Sequence, residues 1–366
     1  MNNSKLSSLE GMALVILCIL NNIIINYPQD ITQGCGPSAL LNVIYISVLV
    51  FIFFILVVNL FKNFTNSDIL DISEFLGGKV LKTILGVLFI FIFIYISSLN
   101  LRLFTDGLKL TSFNNVPTIL LLLSFLFVAL ITNRFGNKPV LNTALIITPI
   151  ILITFIITFF TASSKFTLQR VFPLLGYGTN NIFLVGSSNL FAFSGLAYIF
   201  FLMPMLNKKE NFKKVTYTSV AISTVFLFCS TALLLLTIPN ATSRNELSPI
   251  FLITISTNFG NYFQNPEWGF IFIWILALMS YISISVLIIS NIAKKILNIE
   301  NKKNIVLLIA GFIFIFALFP KNLSDLNFWK NTIYRPISLI IVFLIPIIVL
   351  ILANIKHKKI NKKTQI

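Results

Sequence analysis

The chain has 366 residues, of which 57% are hydrophobic and only 10% charged, and its mean hydropathy is +0.94. That composition excludes a soluble enzyme or binding module and specifies a polytopic helical membrane protein of one domain. The formal charge of +16 would suit nucleic acid, but the basic residues form short clusters between apolar runs, a pattern set by membrane topology and anionic headgroups.

The first apolar run, 11–27, follows a short polar start holding only Lys5 and Glu10. It lacks the basic lead and the small-residue cleavage site of a signal peptide, so a retained span is expected. Asn21 and Asn22 interrupt this run, and Pro28 is expected to stop it. An amide in lipid costs several kcal/mol (roughly) unless paired, so both should face a cavity or another helix. Span two is 39–60. The stretch 66–79 then places Ile69, Leu70, Ile72, Phe75 and Leu76 at helical spacing among acids, which reads as an in-plane interfacial helix. Span three, 80–104, ends in Arg102 and Asp106, an i,i+4 pair at the membrane edge. Spans four and five are 116–132 and 139–160, with Pro149 inside the latter.

Span six, 186–206, is the stretch around which the chain is organised. Ser187, Ser188 and Asn189 open it, Ser194 and Gly195 sit inside it, and Pro204 ends its apolar run ahead of Lys208, Lys209, Lys213 and Lys214. A Ser-Gly break at membrane depth is tolerated only where protein or a watery cavity satisfies the freed backbone, and broken spans carry the substrate site in transporters. The same small residues equally suit an ordinary helix–helix packing face. Spans seven to ten are 215–238, 270–292, 305–319 and 337–355, followed by a lysine-rich tail.

Ten spans place both termini on one side, and most of the 27 Lys and Arg fall on that side; the N- and C-termini are therefore expected in the cytoplasm. The ten divide as five plus five, and the polar interruptions fall in the first span of each half, which points to an inverted-repeat transporter with its site at the repeat interface. All eleven Asp and Glu are expected in loops, at interfaces or in the in-plane helix, which argues against carboxylate proton relays. Cys18, Cys35 and Cys229 make no metal or redox spacing, and His357, the single histidine, lies in the tail; no metal site, cofactor or catalysis is expected. Asp30, Asp106 and Glu267 are too scattered for a lipid-facing transferase.

Several motifs in register resemble one family. They are Leu6 to Gly11 (LSSLEG), Leu76-Gly-Gly-Lys79 leading to Gly86, Arg102 with Asp106, Val116-Pro117, and Pro173 to Gly178 (PLLGYG). Pro204 with its lysines, Ser248-Pro249, Trp274 and Phe319-Pro320 complete the series. In order and spacing the chain resembles, over nearly its full length, the B subunit of bacterial spore germinant receptors, the GerB-type (GerAB-like) spore germination permeases of the amino acid/polyamine/organocation superfamily. The resemblance implies a LeuT-like fold and a small germinant, often an amino acid, bound between spans one, three, six and eight. It also implies A-type and C-type partner subunits in the spore inner membrane. Two departures stand out: the family's glycine-rich break in span one falls on Asn21-Asn22-Ile23, and its Gly-x-Glu-like element in span six falls on Gly195-Leu196-Ala197, without the carboxylate.

The expected ligand-contacting residues are Asn21, Asn22, Ser98, Phe193, Ser194, Gly195 and Tyr281. Ser98 and Tyr281 equally suit interhelical hydrogen bonds. Arg102, Asp106 and Trp274 are candidates for an outer vestibule or gate, with pairing and snorkelling the alternative for Arg102. The leading function is germinant sensing by a permease-like subunit; a secondary active amino acid or cation symporter is the alternative, since hydroxyls and carbonyls alone can hold sodium.

Overall fold

The computed structural model describes residues 5–25, 27–208, 211–239, 242, 253–254, 266–299 and 302–363. Among them the fold is all helical, apart from a single parallel bridge between Leu6 and Leu206. Among the described residues seven helices are long and apolar enough to cross a membrane, and of three shorter apolar helices one precedes them and two lie between them, in the order of the sequence runs.

α1 (Ser8–Ile25) is buried on every side from Gly11 to Ile24, as a largely apolar helix at the centre of a bundle must be. Its start explains the Leu6–Gly11 motif. Ser7 N–H donates to Glu10 Oε2 at 2.7 Å and Glu10 N–H to Ser7 Oγ at 3.3 Å, a reciprocal capping box. Leu6 is then pinned to the end of span six, its N–H donating to Met205 O and its carbonyl accepting from Asn207 N–H.

The chain departs from expectation next. α1 runs unbroken through Asn21 and Asn22, and a second helix, α2 (Tyr27–Cys35), follows it. α1 ends at Ile25, ahead of Pro28, which is the second residue of α2, where a missing N–H costs nothing. Cys35 and Asp30, expected in the first outer loop, are residues of α2 and buried.

α3 (Ala39–Phe61) is followed by α4 (Ile69–Thr111). The first turns of α4 form a separate segment. Asp68 accepts from the N–H groups of Leu70 and Asp71 and starts it, while Gly77 and Gly78, the latter at φ 71°, turn the chain into the long span. Only glycine takes that left-handed conformation without penalty. Lys295 bridges Asp68 and Asp71, and Lys356 donates to the carbonyls of Phe75 and Leu76. Burial holds the Asp68 carboxyl above the usual range, against the opposing pull of Lys295.

α5 (Thr118–Arg134) and α6 (Asn137–Ala162) complete the first half. The short α7 (Thr179–Phe183) leads into span six, which is wound as a 3-10 helix over Val185–Phe201. The expected break at Ser194-Gly195 is therefore absent: the winding passes through both residues without interruption. Such a helix rises about 2.0 Å per residue against about 1.5 Å for an α-helix, so a tightly wound span takes the place of a discontinuous one.

α8 (Asn211–Thr237), α9 (Pro266–Leu297) and α10 (Lys302–Leu318) follow. Span ten begins well ahead of the expected position 337. α11 (Leu323–Phe328) continues into a π-helical stretch at Trp329–Tyr334, α12 (Arg335–Ser338), a second π stretch at Leu339–Leu344, and α13 (Ile345–Lys363). Each π stretch stops two residues before a proline, Pro336 or Pro346. A proline ring in a helix collides with the carbonyl four residues earlier, and a widened turn relieves that collision.

The two halves interlock: α1 packs on α8 and on the 3-10 span, α3 on α8, α4 and α5 each on both α9 and α10, and α6 on α9 and α1. Tyr198 of the 3-10 span stacks on Phe93 of α4 and bonds Ser285 of α9, so α1, α4, the 3-10 span and α9 meet at the centre.

Candidate functional site

At that centre apolar packing gives way to a polar cluster. Asn22 of α1 and Asn100 of α4 face each other, with Asn100 Nδ2 donating to Asn22 Oδ1 and also to the Tyr281 hydroxyl of α9 at 3.2 Å. All three are buried. The same Nδ2 supplies both bonds, so one side chain ties three helices. Asn22 Nδ2 has no hydrogen-bond partner among the described residues, an uncommon state for a buried donor.

Beside these residues lies a small cavity lined by Asn22, Tyr27, Ile96, Leu99, Asn100, Leu103, Lys330 and Tyr334, with about 10 Å³ of free space, the room that one water needs. α4 contributes Ile96, Leu99 and Leu103 together with the amide of Asn100, and α1, α2 and the first π stretch of span ten contribute Asn22, Tyr27, Lys330 and Tyr334. Tyr334 meets Ser194 of the 3-10 span, hydroxyl to hydroxyl at 2.5 Å, and the Tyr27 hydroxyl adjoins both. Phe191 closes over this group, 4.7 Å from the Tyr27 ring and 6.5 Å from that of Tyr334.

Lys330 brings a charge into the cavity wall. Its Nζ lies 2.7 Å from Asp30 Oδ1, and the two side chains are only 5% and 7% exposed. Asp30 Oδ2 has no partner among the described residues. The expectation that every acid lies in a loop, at an interface or in the in-plane helix is thus corrected: Asp30 is a buried helical residue paired across to span ten. Arg335, further along the same helix, donates to Asn189 Oδ1 and to Ser188 O, and lies 4.8 Å over the Phe191 ring.

The residues singled out from sequence fall into four groups. Asn22 lines the cavity, while Ser194 and Tyr281 bond to residues that do. Gly195 lets the 3-10 span approach α1: a Cβ there would meet Ile19 Cγ1 at 3.0 Å, the Cys18 carbonyl at 3.1 Å and Asn22 Nδ2 at 3.2 Å. Asn21, Ser98 and Phe193 are buried away from the cavity lining; Ser98 bonds the Ile94 carbonyl of its own helix at 2.7 Å, and neither amide atom of Asn21 has a partner among the described residues. Arg102 pairs with Asp106 at 2.9 Å and reaches the Ala317 carbonyl of α10 at 3.3 Å, and Trp274 packs against Phe270 at 4.9 Å; none of these lines the cavity.

Sequence reasoning did not single out Tyr27, Asn100, Lys330 and Tyr334. Asn100 carries the same signal as Asn22, an amide within an apolar run. Lys330 and Tyr334 stand in a polar stretch that hydropathy places outside the membrane.

Comparison with known proteins places this geometry in context. Residues 5–326 match the model of the family described as "Spore germination protein". Spore germination protein B2 of Bacillus subtilis (strain 168) is 22% identical over 357 residues, covering 97% of this chain and 96% of the relative. Spore germination protein YndE of the same organism is 21% identical over 362 residues, covering 96% and 97%. Spore germination protein GerQB of Bacillus cereus is 22% identical over 294 residues, covering 79% and 78%. Among solved structures, a substrate-bound, outward-open Na+-coupled sialic acid symporter superposes with a TM-score of 0.66 at 13% identity, covering 93% of this chain and 80% of that one. The fold is accordingly the LeuT-like one.

Proposed function

The chain belongs to the spore germination protein family, and on that premise we propose that it is the germinant-sensing, amino-acid-permease-like B subunit of a spore germinant receptor. It binds a small germinant, an amino acid, without transforming it, and works with A-type and C-type subunits in the spore inner membrane, both termini facing the cytoplasm. The observation that carries this reading is the buried polar cluster of Asn22, Asn100 and Tyr281 beside a cavity at the centre of a transporter fold. Buried amides are costly unless paired, and a donor left without a partner, Asn22 Nδ2, suits a ligand oxygen.

Germination of spores lacking the chain, scored by loss of optical density against a panel of amino acids, tests the proposal. Response to at least one amino acid should vanish and return with a copy of the gene; a full parental response profile in the deleted strain would refute it. The shared fold with a Na+-coupled symporter supports transport as a second reading. Labelled amino acid uptake by proteoliposomes holding the chain alone separates the two, since sensing predicts binding without sodium-driven accumulation.

A further inference from the structure

Even the smallest amino acid outsizes the single water for which the cavity has room. If the sensing proposal above holds, a wall must therefore move before a ligand enters. α1 and α4 are poor candidates, because α1 is buried on every side from Gly11 to Ile24 and Asn100 ties the two helices together. Span ten is the wall with room behind it. Asn331 and Thr332, between Lys330 and Tyr334, are exposed, and the stretch is π-helical, a form frequent at functional sites. Polar contacts hold it inward: Lys330 to Asp30, Tyr334 to Ser194, and the Tyr95 hydroxyl donating to the Trp329 carbonyl at 3.1 Å.

Arg335 adds the contact that fastens this stretch from outside the cavity. Its guanidinium donates to Asn189 Oδ1 and to the Ser188 carbonyl at 3.4 Å, and lies 4.8 Å over the Phe191 ring. All three partners stand in the first turns of the 3-10 span, and Phe191 covers Tyr27 and Tyr334. Every one of them is neutral. Among the described residues no carboxylate pairs with Arg335, and Asp30 is taken by Lys330. A half-buried charge held by neutral partners keeps part of its desolvation cost, and a move into water removes that cost. The seated and released positions are thus close in free energy, as a catch requires.

We propose that Arg335 is the latch of the cavity. Seated on Ser188, Asn189 and Phe191, it fastens span ten to the start of the 3-10 span with Phe191 as the lid. Its release lets span ten swing outward and admit the ligand. The other end of the 3-10 span stays fastened, since Leu6 holds Met205 and Asn207. Cys35 reports the motion: it is buried, with Asn189 Nδ2 3.8 Å from its Sγ, and loses its cover when Arg335 leaves Asn189.

Alkylation of the purified full-length chain by N-ethylmaleimide, read peptide by peptide by mass spectrometry, tests the latch without any ligand. Arg335→Lys keeps the charge but loses the planar fork that spans two acceptors and stacks on the ring. Phe191→Leu weakens the seat independently by removing the ring under the cation. In each variant Cys35 should react about tenfold or more faster than in the parent, while Cys18, buried within α1, stays as slow. In spores, Arg335→Lys should lower the half-maximal germinant concentration, because the ligand no longer works against a seated latch. An unchanged Cys35 rate in both variants, or an equal acceleration at Cys18, would overturn the latch. So would a raised half-maximal concentration alongside a faster Cys35. If Cys35 accelerates as expected but parental spores answer no amino acid, the latch stands and the sensing proposal falls.

Discussion

Leucine substitutions at Asn22 and Asn100 separate the two tasks of the central amides. Asn100 Nδ2 serves two acceptors, Asn22 Oδ1 and the Tyr281 hydroxyl, whereas Asn22 bonds only through its oxygen. Asn100→Leu thus strands the Asn22 amide at both ends, and a stranded buried acceptor costs about 1–3 kcal/mol. Asn22→Leu leaves Asn100 its bond to Tyr281 and removes a donor that has no partner, so it should cost less. Replacing both should cost little more than Asn22→Leu alone, because no amide is then left stranded. Hydrogen bonds between membrane helices couple by about 0.6 kcal/mol on average and up to about 1.7 kcal/mol, and a coupling in that range is expected here. Equilibrium unfolding of purified protein in mixed micelles, run as a double-mutant cycle, measures it. Asn21→Leu serves as control: it removes an amide with no partner and should leave stability unchanged or higher. Additive effects within about 0.3–0.5 kcal/mol would refute the proposed bonding, as would an Asn22→Leu more damaging than Asn100→Leu.

Three further outcomes follow from the packing. Gly195→Ala should be tolerated with a weakened germinant response, because its Cβ meets the Cys18 carbonyl at 3.1 Å and backbone yields little. Gly195→Val should abolish the response, its overpacking costing about 1–3 kcal/mol; a parental dose–response at normal abundance would remove this contact from the site. Pro336→Ala should let the first π stretch relax to α-helix, turn Lys330 and Tyr334 away from the cavity and lower ligand affinity while abundance holds; unchanged affinity by calorimetry would show that the proline does not position them. Cys35 is buried and cannot report topology, so exposed Asn114 and Lys358 serve instead. Asn114→Cys should react with an impermeant maleimide from outside and Lys358→Cys only after permeabilisation; the reverse pattern would invert the expected orientation.

The helices were legible in the sequence because hydropathy alone places them, and α3, α5, α6 and α8 begin and end within four residues of the expected runs. The capping boxes at Ser7 and Asp68 fix two further starts by local chemistry. Span ten was misplaced for a tertiary reason. Lys330 reads as a loop residue until Asp30, three hundred positions away in sequence, supplies the charge that allows its burial. The same pairing hid Asp30, and nothing in the sequence marked the second helix that Pro28 opens just after α1 ends. In span six, the smallness of Ser194 and Gly195 goes with a tight 3-10 winding and close approach to α1 rather than a break. Asn100 escaped notice because it stands near the end of the expected span three, where an amide costs little. α4 continues for eleven residues beyond Asn100, to Thr111, which puts the amide well inside the helix.

The most direct test of the account is the germination dose–response of spores whose only copy of the chain carries Asn22→Leu together with Asn100→Leu. The paired change leaves no amide stranded, so the subunit should reach parental abundance, while the cavity lining loses both its amides. The account predicts that the half-maximal amino acid concentration rises about tenfold or more, or that the response disappears. A curve superimposable on the parent's at equal abundance would contradict it.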